Sequence, residues 1–158
     1  MSTIKTARAM FFLETERLVL RQFNALDAEN LFALDSDPEV VKFVDPQYPI
    51  LLETIVRQTL PQWFHIYEVS RNQFGFWAAI EKASYEFIGW FKLLSLPPEK
   101  HNCALLGYRL KRSAWGKGYA TEGSKALIHK GFTELGCDRI FAAGFSSKYN
   151  TMDRCRMP

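Results

Sequence analysis

Leu110-Lys111-Arg112-Ser113-Ala114-Trp115-Gly116-Lys117-Gly118-Tyr119-Ala120-Thr121-Glu122 is the stretch on which the fold of the whole chain turns. Before it, Ala104 to Leu110 alternates as a strand does. After it, Ala120 to Leu135 has the apolar spacing of a helix, and Gly136 is its expected stop. The stretch is therefore strand, glycine turn, helix N-terminus. The first turn of a helix carries N–H groups with no intrahelical partner, and the summed peptide dipoles make that end positive. Such an end suits a phosphate. Gly116 and Gly118 have no Cβ, so a ligand can approach the backbone. Lys111, Arg112 and Lys117 add positive charge, and the physical reading is a diphosphate cradle.

Two familiar cradles do not fit. A P-loop needs Ser or Thr after its Lys and a longer gap between glycines; Gly116-Lys117-Gly118-Tyr119 offers neither. A dinucleotide fingerprint needs a third Gly where Thr121 stands. Trp115-Gly116-Lys117-Gly118-Tyr119-Ala120 resembles a third, the acetyl-CoA loop Gln/Arg-x-x-Gly-x-Gly/Ala of the GNAT acyltransferases, with Trp in the first place. Carried on to Thr121-Glu122, it is similar to the variant of the RimJ/RimL-type branch.

The remaining chain sets outer bounds. Its 158 residues suit a single domain, 1–158, with a full core. Hydrophobic residues make up 47% and charged ones 23%, as in ordinary globular proteins. A net charge of +3 is too mild to imply nucleic acid, and it suits a small anionic cofactor. Cys103, Cys137 and Cys155 are widely spaced, with no paired Cys or His motif, so no metal is expected. No apolar run has membrane-span length, and Met1 to Met10 lacks a signal-peptide core. A cytoplasmic protein with no membrane partner is the expectation.

In chain order, residues 1–12 carry little signal and are expected to be loose. Leu13 to Phe23 reads as a first strand with Leu18 and Leu20 inward. Arg17 and Arg21 read as a solvated or salt-bridged strand face. Asp27 is a candidate N-cap for a helix over 27–34, and Pro38 opens a second short helix. Leu51 to Val69 is helical in spacing, with a break or kink expected at Pro61. Its stripe reads as core and His65 as a satisfied, partly buried histidine. Phe74 to Glu81 and Glu86 to Leu94 form a hairpin, and Arg139 to Phe145 a last strand. Gly131 is a weak point in the helix after the cradle. Hairpins followed by strand–helix–strand give an α+β (α/β layered) domain with a mixed sheet.

Further ordered matches extend the resemblance from Thr15 to Asn150. They are Thr15-Glu16-Arg17-Leu18-Val19-Leu20-Arg21, Asp37-Pro38-Glu39-Val40 and Ile88-Gly89. The resemblance implies a GNAT-like, mainly antiparallel twisted sheet flanked by helices. It implies that amides of Gly116, Lys117, Gly118, Tyr119, Ala120 and Thr121, with Trp115 beside them, hold the diphosphate of acetyl-CoA. It implies that Tyr108, Arg109 and Leu110 pair with the pantetheine arm as an added strand would, and that Asn150 touches that arm. The Leu110 N–H matches the amide that polarises the thioester carbonyl, and Tyr108 stands near the thioester. The base is unknown: many GNATs use a Glu on the strand before the cradle, and Cys103 to Leu110 has none. Asp37, Asp45, Glu86 and a water relay are alternatives.

The pattern departs at the end. Asp153 stands where the branch has Ser, and Thr151 to Pro158 is too short for the closing helix and strand hairpin. The expectation is a truncated domain with an atypical 151–158 tail, acting as a monomer or a homodimer. The function implied is transfer of an acetyl group from acetyl-CoA to a primary amine, on a small molecule or a protein N-terminus. The alternative is a catalytically impaired acyl-CoA-binding module.

Overall fold

The computed structural model describes residues 11–42, 50–97, 102–143 and 152–155. Seven strands lie in chain order across one sheet. They are β1 (Phe11–Glu14), β2 (Leu18–Gln22), β3 (Gly75–Glu81), β4 (Phe87–Ser95), β5 (Cys103–Leu110), β6 (Arg139–Ala143) and β7 (Met152–Cys155). All neighbours are antiparallel except β5 and β6, which are parallel. A parallel pair needs a crossover, and the helix after the cradle supplies it. The mixed, mainly antiparallel sheet expected from the sequence is the one found.

Helices cover both faces. α1 (Ala28–Asp35) and α2 (Pro38–Val41) follow β2. α3 (Leu60–Val69) precedes β3, and α4 (Tyr119–Thr133) is the crossover. Alternation along the strands splits the core into two layers. Trp77 and Ala79 of β3 join Leu18, Leu20, Phe91, Leu127 and Ile140 on the α4 side. Ala78, between them in sequence, joins Phe23, Leu31, Leu34, Ile55, Leu60 and Trp90 under α1 and α3.

Several expectations need correction. Phe11 and Phe12 belong to β1, not to a loose leader; Phe12 stacks on Trp77 at 3.7 Å, which fixes that strand. Met152–Cys155 is a strand against β6, in register from Ile140↔Cys155 to Ala143↔Met152. A sheet edge presents unpaired N–H and C=O groups, and an extended segment satisfies them. Pro61 does not break the helix. Leu52–Thr54 runs through a π-turn at Ile55–Thr59 into α3, and Leu60 N–H bonds to Ile55 O. The widened turn accommodates a residue that has no N–H and crowds the preceding carbonyls. Leu52 and Val56 of that stripe are exposed, while Ile55, Leu60 and Tyr67 are core. His65 is exposed on α3, 3.9 Å from Glu68. Asp27 makes no cap bond to α1; it closes a capping box with Asn24 over the preceding 3-10 turn. α4 buries Tyr119, Gly123, Leu127 and Gly131, one residue per turn. A Cβ on Gly123 would lie 2.3 Å from Phe91 Cζ, so the glycine lets the helix sit close on the sheet.

Candidate active site

Between β5 and α4 the chain makes a 3-10 turn, Arg112–Ala114, and then two left-handed glycines, Gly116 at φ 72° and Gly118 at φ 83°. The backbone can take these angles because neither residue has a Cβ. The turn's own bonds end with Ala114 N–H to Lys111 O at 2.9 Å and Trp115 N–H to Arg112 O at 3.1 Å. They resume with Glu122 N–H to Gly118 O at 3.0 Å. Among the described residues, no backbone acceptor meets the N–H groups of Gly116, Lys117, Gly118, Tyr119, Ala120 and Thr121. Gly118, the N-cap, has no side chain to offer them, and a Cβ on Gly116 would meet nothing within 4 Å. The turn is an open set of donors, as a diphosphate site requires.

The Trp115 indole N–H donates to Leu110 O at 2.9 Å, tying the turn back to the strand it leaves. The sequence assigned Trp115 to the cofactor without finding this tether. On the other flank, Glu122 accepts from Thr15 Oγ1, from the Arg17 N–H at 3.0 Å and from Arg17 Nε at 2.7 Å. Burial raises the Glu122 carboxyl, but these hydrogen bonds outweigh it and hold the group below the usual carboxylate range. The Tyr119 hydroxyl donates to Glu81, and that bond moves the phenol up and the carboxyl down.

β5 supplies the second part of the site. Lys111 N–H bonds to Ile88 O at 2.8 Å, and Gly89 stands opposite Leu110. In antiparallel pairing that makes Gly89 and Leu110 a non-hydrogen-bonded pair, so the Leu110 N–H faces away from β4. It faces the β6 side, where pairing runs from Cys103↔Arg139 to Leu106↔Ala142. Tyr108 and Leu110 lie past that last pair. The Tyr108 side chain is 54% exposed, and its ring lies 5.9 Å from Phe91. The Arg109 guanidinium goes elsewhere, pairing with Asp35 of α1 and lying 5.3 Å from the Trp90 ring. Burial raises the Asp35 carboxyl against the pull of Arg109.

A cleft of about 310 Å³ opens beside the turn, lined by Ala33, Leu34, Asp37, Val40, Lys111, Arg112 and Ser113. Of the candidate bases, Asp37 lines it, but its carboxylate accepts from Arg112 Nε and Nη2 and from Glu39 N–H. Glu86 is exposed at the β3–β4 turn. Asp45 and Asn150 lie outside the described residues.

A strand end with no paired neighbour on that side among the described residues, a glycine turn with open amides and a helix packed below them define a coenzyme-binding acyltransferase domain. Residues 17–146 match the family model described as an acetyltransferase (GNAT) domain. The chain belongs to the GNAT acetyltransferase family. As a domain it is of the N-acetyltransferase class. It is 37% identical to the uncharacterized N-acetyltransferase p20 of Bacillus licheniformis, over 82% of this chain and 71% of that one. It is 31% identical to the FsC-acetyl coenzyme A-N(2)-transacetylase of Aspergillus fumigatus, over 85% of this chain. There it spans only 58% of the relative's length. The fold matches that of RimL, the ribosomal L7/L12 alpha-N-protein acetyltransferase, solved in complex with coenzyme A. That match has a TM-score of 0.69 at 18% identity, and covers 84% of this chain and 73% of RimL.

Proposed function

We propose that the domain transfers the acetyl group of acetyl-CoA to a primary amine, on a small molecule or a protein N-terminus, as a RimJ/RimL-type enzyme. The open amides of Gly116 to Thr121, beside a β5 end that is unpaired among the described residues, support this reading above all. The amides take the diphosphate. The backbone of Tyr108 to Leu110 pairs with the pantetheine arm, with Asn150 as a further contact. The Leu110 N–H stabilises the oxyanion that forms on the thioester carbonyl.

The amine lone pair attacks the carbonyl carbon, and the C–N bond forms as the C–S bond breaks. The amine gives its proton to water in the cleft. The leaving thiolate takes a proton from the Tyr108 hydroxyl or from solvent and departs as the free thiol. RimL is named for acetylation of a protein N-terminus, and the Aspergillus relative for an N(2) amine. Both suit an amine acceptor here.

The test measures thiol release from acetyl-CoA across a panel of small amines and N-terminal peptides. Calorimetric titration with acetyl-CoA runs beside it. Thiol release with any amine supports the enzyme reading. Binding without thiol release from any amine replaces it with the acyl-CoA-binding module.

A further inference from the structure

The side chain of Arg17, just before β2, makes three contacts with the cradle. Its Nη1 donates to Lys117 O at 2.9 Å. Its Nε donates to Glu122 Oε1 at 2.7 Å. Its guanidinium lies 4.3 Å from the Tyr119 ring centroid. Glu81 holds Tyr119 from the other end by accepting from its hydroxyl.

Each contact has a consequence for an anion in the turn. A peptide unit is planar and trans, so its C=O and N–H point opposite ways. With Lys117 C=O held toward Arg17, the Gly118 N–H is turned away from the guanidinium. That leaves the amide free for a ligand while Arg17 stays behind the loop. The Glu122 carboxylate, one turn into α4, would oppose an anion at that helix end. Arg17 neutralises it at contact distance.

We propose that Arg17 is a positioning residue for the diphosphate: it fixes the direction of the Gly118 amide and cancels the charge of Glu122, while other groups bind the ligand. The inference rests on the cradle reading above. Arg17 is 40% exposed and lies outside the two buried core clusters, so its effect is separable from that of general packing.

The test compares two ligands by calorimetry: coenzyme A, and pantetheine, which has the same arm and no diphosphate. Arg17→Ala weakens coenzyme A about tenfold and pantetheine by less than about twofold. Arg17→Lys falls between, because one ammonium beside Glu122 lacks the fork that also reaches Lys117 O. Thermal melts accompany each titration, and Arg17→Lys carries the comparison if Arg17→Ala does not fold. Equal loss for both ligands would mean a merely structural residue and would overturn the proposal. No loss for either would overturn it too. A wild-type protein that binds the two ligands equally would overturn the cradle itself, and the role of Arg17 with it.

Discussion

Arg17 and Glu122 meet through two hydrogen bonds, Nε to Oε1 at 2.7 Å and backbone N–H to Oε2 at 3.0 Å, and so fasten the start of β2 to the first turn of α4. Thr15 adds a third donor and also accepts from Leu18 N–H at 3.0 Å. The Glu122 carboxyl sits below its ordinary 4.5 in the folded protein. A group with a depressed folded pKa stabilises fully above the unfolded pKa, and the effect is lost as pH falls through the folded one. Glu122→Gln should melt about 3 °C below wild type at pH 7, and the gap should close below about pH 4.5. Melting curves across pH check this; a gap that stays constant into acid would mean that the charge on Glu122 is not what matters.

Gly116 separates space from conformation. A Cβ there touches nothing, so Gly116→Ala carries only the left-handed penalty of about 1–2 kcal/mol. The methyl would, however, stand where the diphosphate approaches. Coenzyme A affinity should fall at least about tenfold, with only a small drop in melting temperature. Calorimetry beside a thermal melt decides it, and unchanged affinity would place the ligand elsewhere.

The cradle was legible because its signals are local: an alternating strand, two glycines and a helical pattern lie within one short stretch. The sheet was legible for the same reason, since hairpins such as 74–94 carry their alternation and turn together. What joins distant stretches was not legible. Thr15-Glu16-Arg17 and Thr121-Glu122 looked like two separate matches, yet 105 residues apart they form one ion-paired site. Gly131 looked like a weakness in a helix, because sequence shows its lost propensity and hides the Ile140 methyl 2.7 Å from where its Cβ would be. No base could be read, because protonation depends on neighbours: Asp37 was one candidate among several, and sequence does not show that Arg112 and the N-terminus of α2 lie on its carboxylate.

Gly123 faces Phe91 in the same way. Gly123→Ala forces its methyl to within 2.3 Å of the ring, so helix or ring must move. The expected loss is about 2 kcal/mol in chemical denaturation. Adding Phe91→Leu should recover part of it, making the double variant less destabilised than the sum of the single ones. Strict additivity would show that the two residues do not press on each other.

Asp35 and Arg109 fix α1 to β5, with side chains only 13% and 20% exposed. Asp35→Ala leaves the guanidinium without its carboxylate against Trp90, a change of about 3 kcal/mol. Replacing both, as Asp35→Leu with Arg109→Met, should be milder than Asp35→Ala alone, because no charge is left without a partner. Urea denaturation of the three variants tests this. A double variant weaker than the single one would show that the pair itself stabilises the fold.

Trp115 holds the strand end in the conformation the site needs. Its indole N–H is the donor to Leu110 O, and Leu110 carries the N–H assigned to the thioester oxygen. Trp115→Phe keeps most of the ring and removes that donor. The ring is 46% exposed, so stability should fall by only about 1 kcal/mol. The Leu110 carbonyl would lose its partner at the strand end, and the residue whose N–H is the assigned donor would be held less firmly; a donor that is not preorganised stabilises an oxyanion poorly. With an active amine in hand, kcat should therefore drop about tenfold while KM for acetyl-CoA stays within about twofold. The opposite pattern, a raised KM at constant kcat, would assign Trp115 to ground-state cofactor binding and take the tether out of the catalytic step.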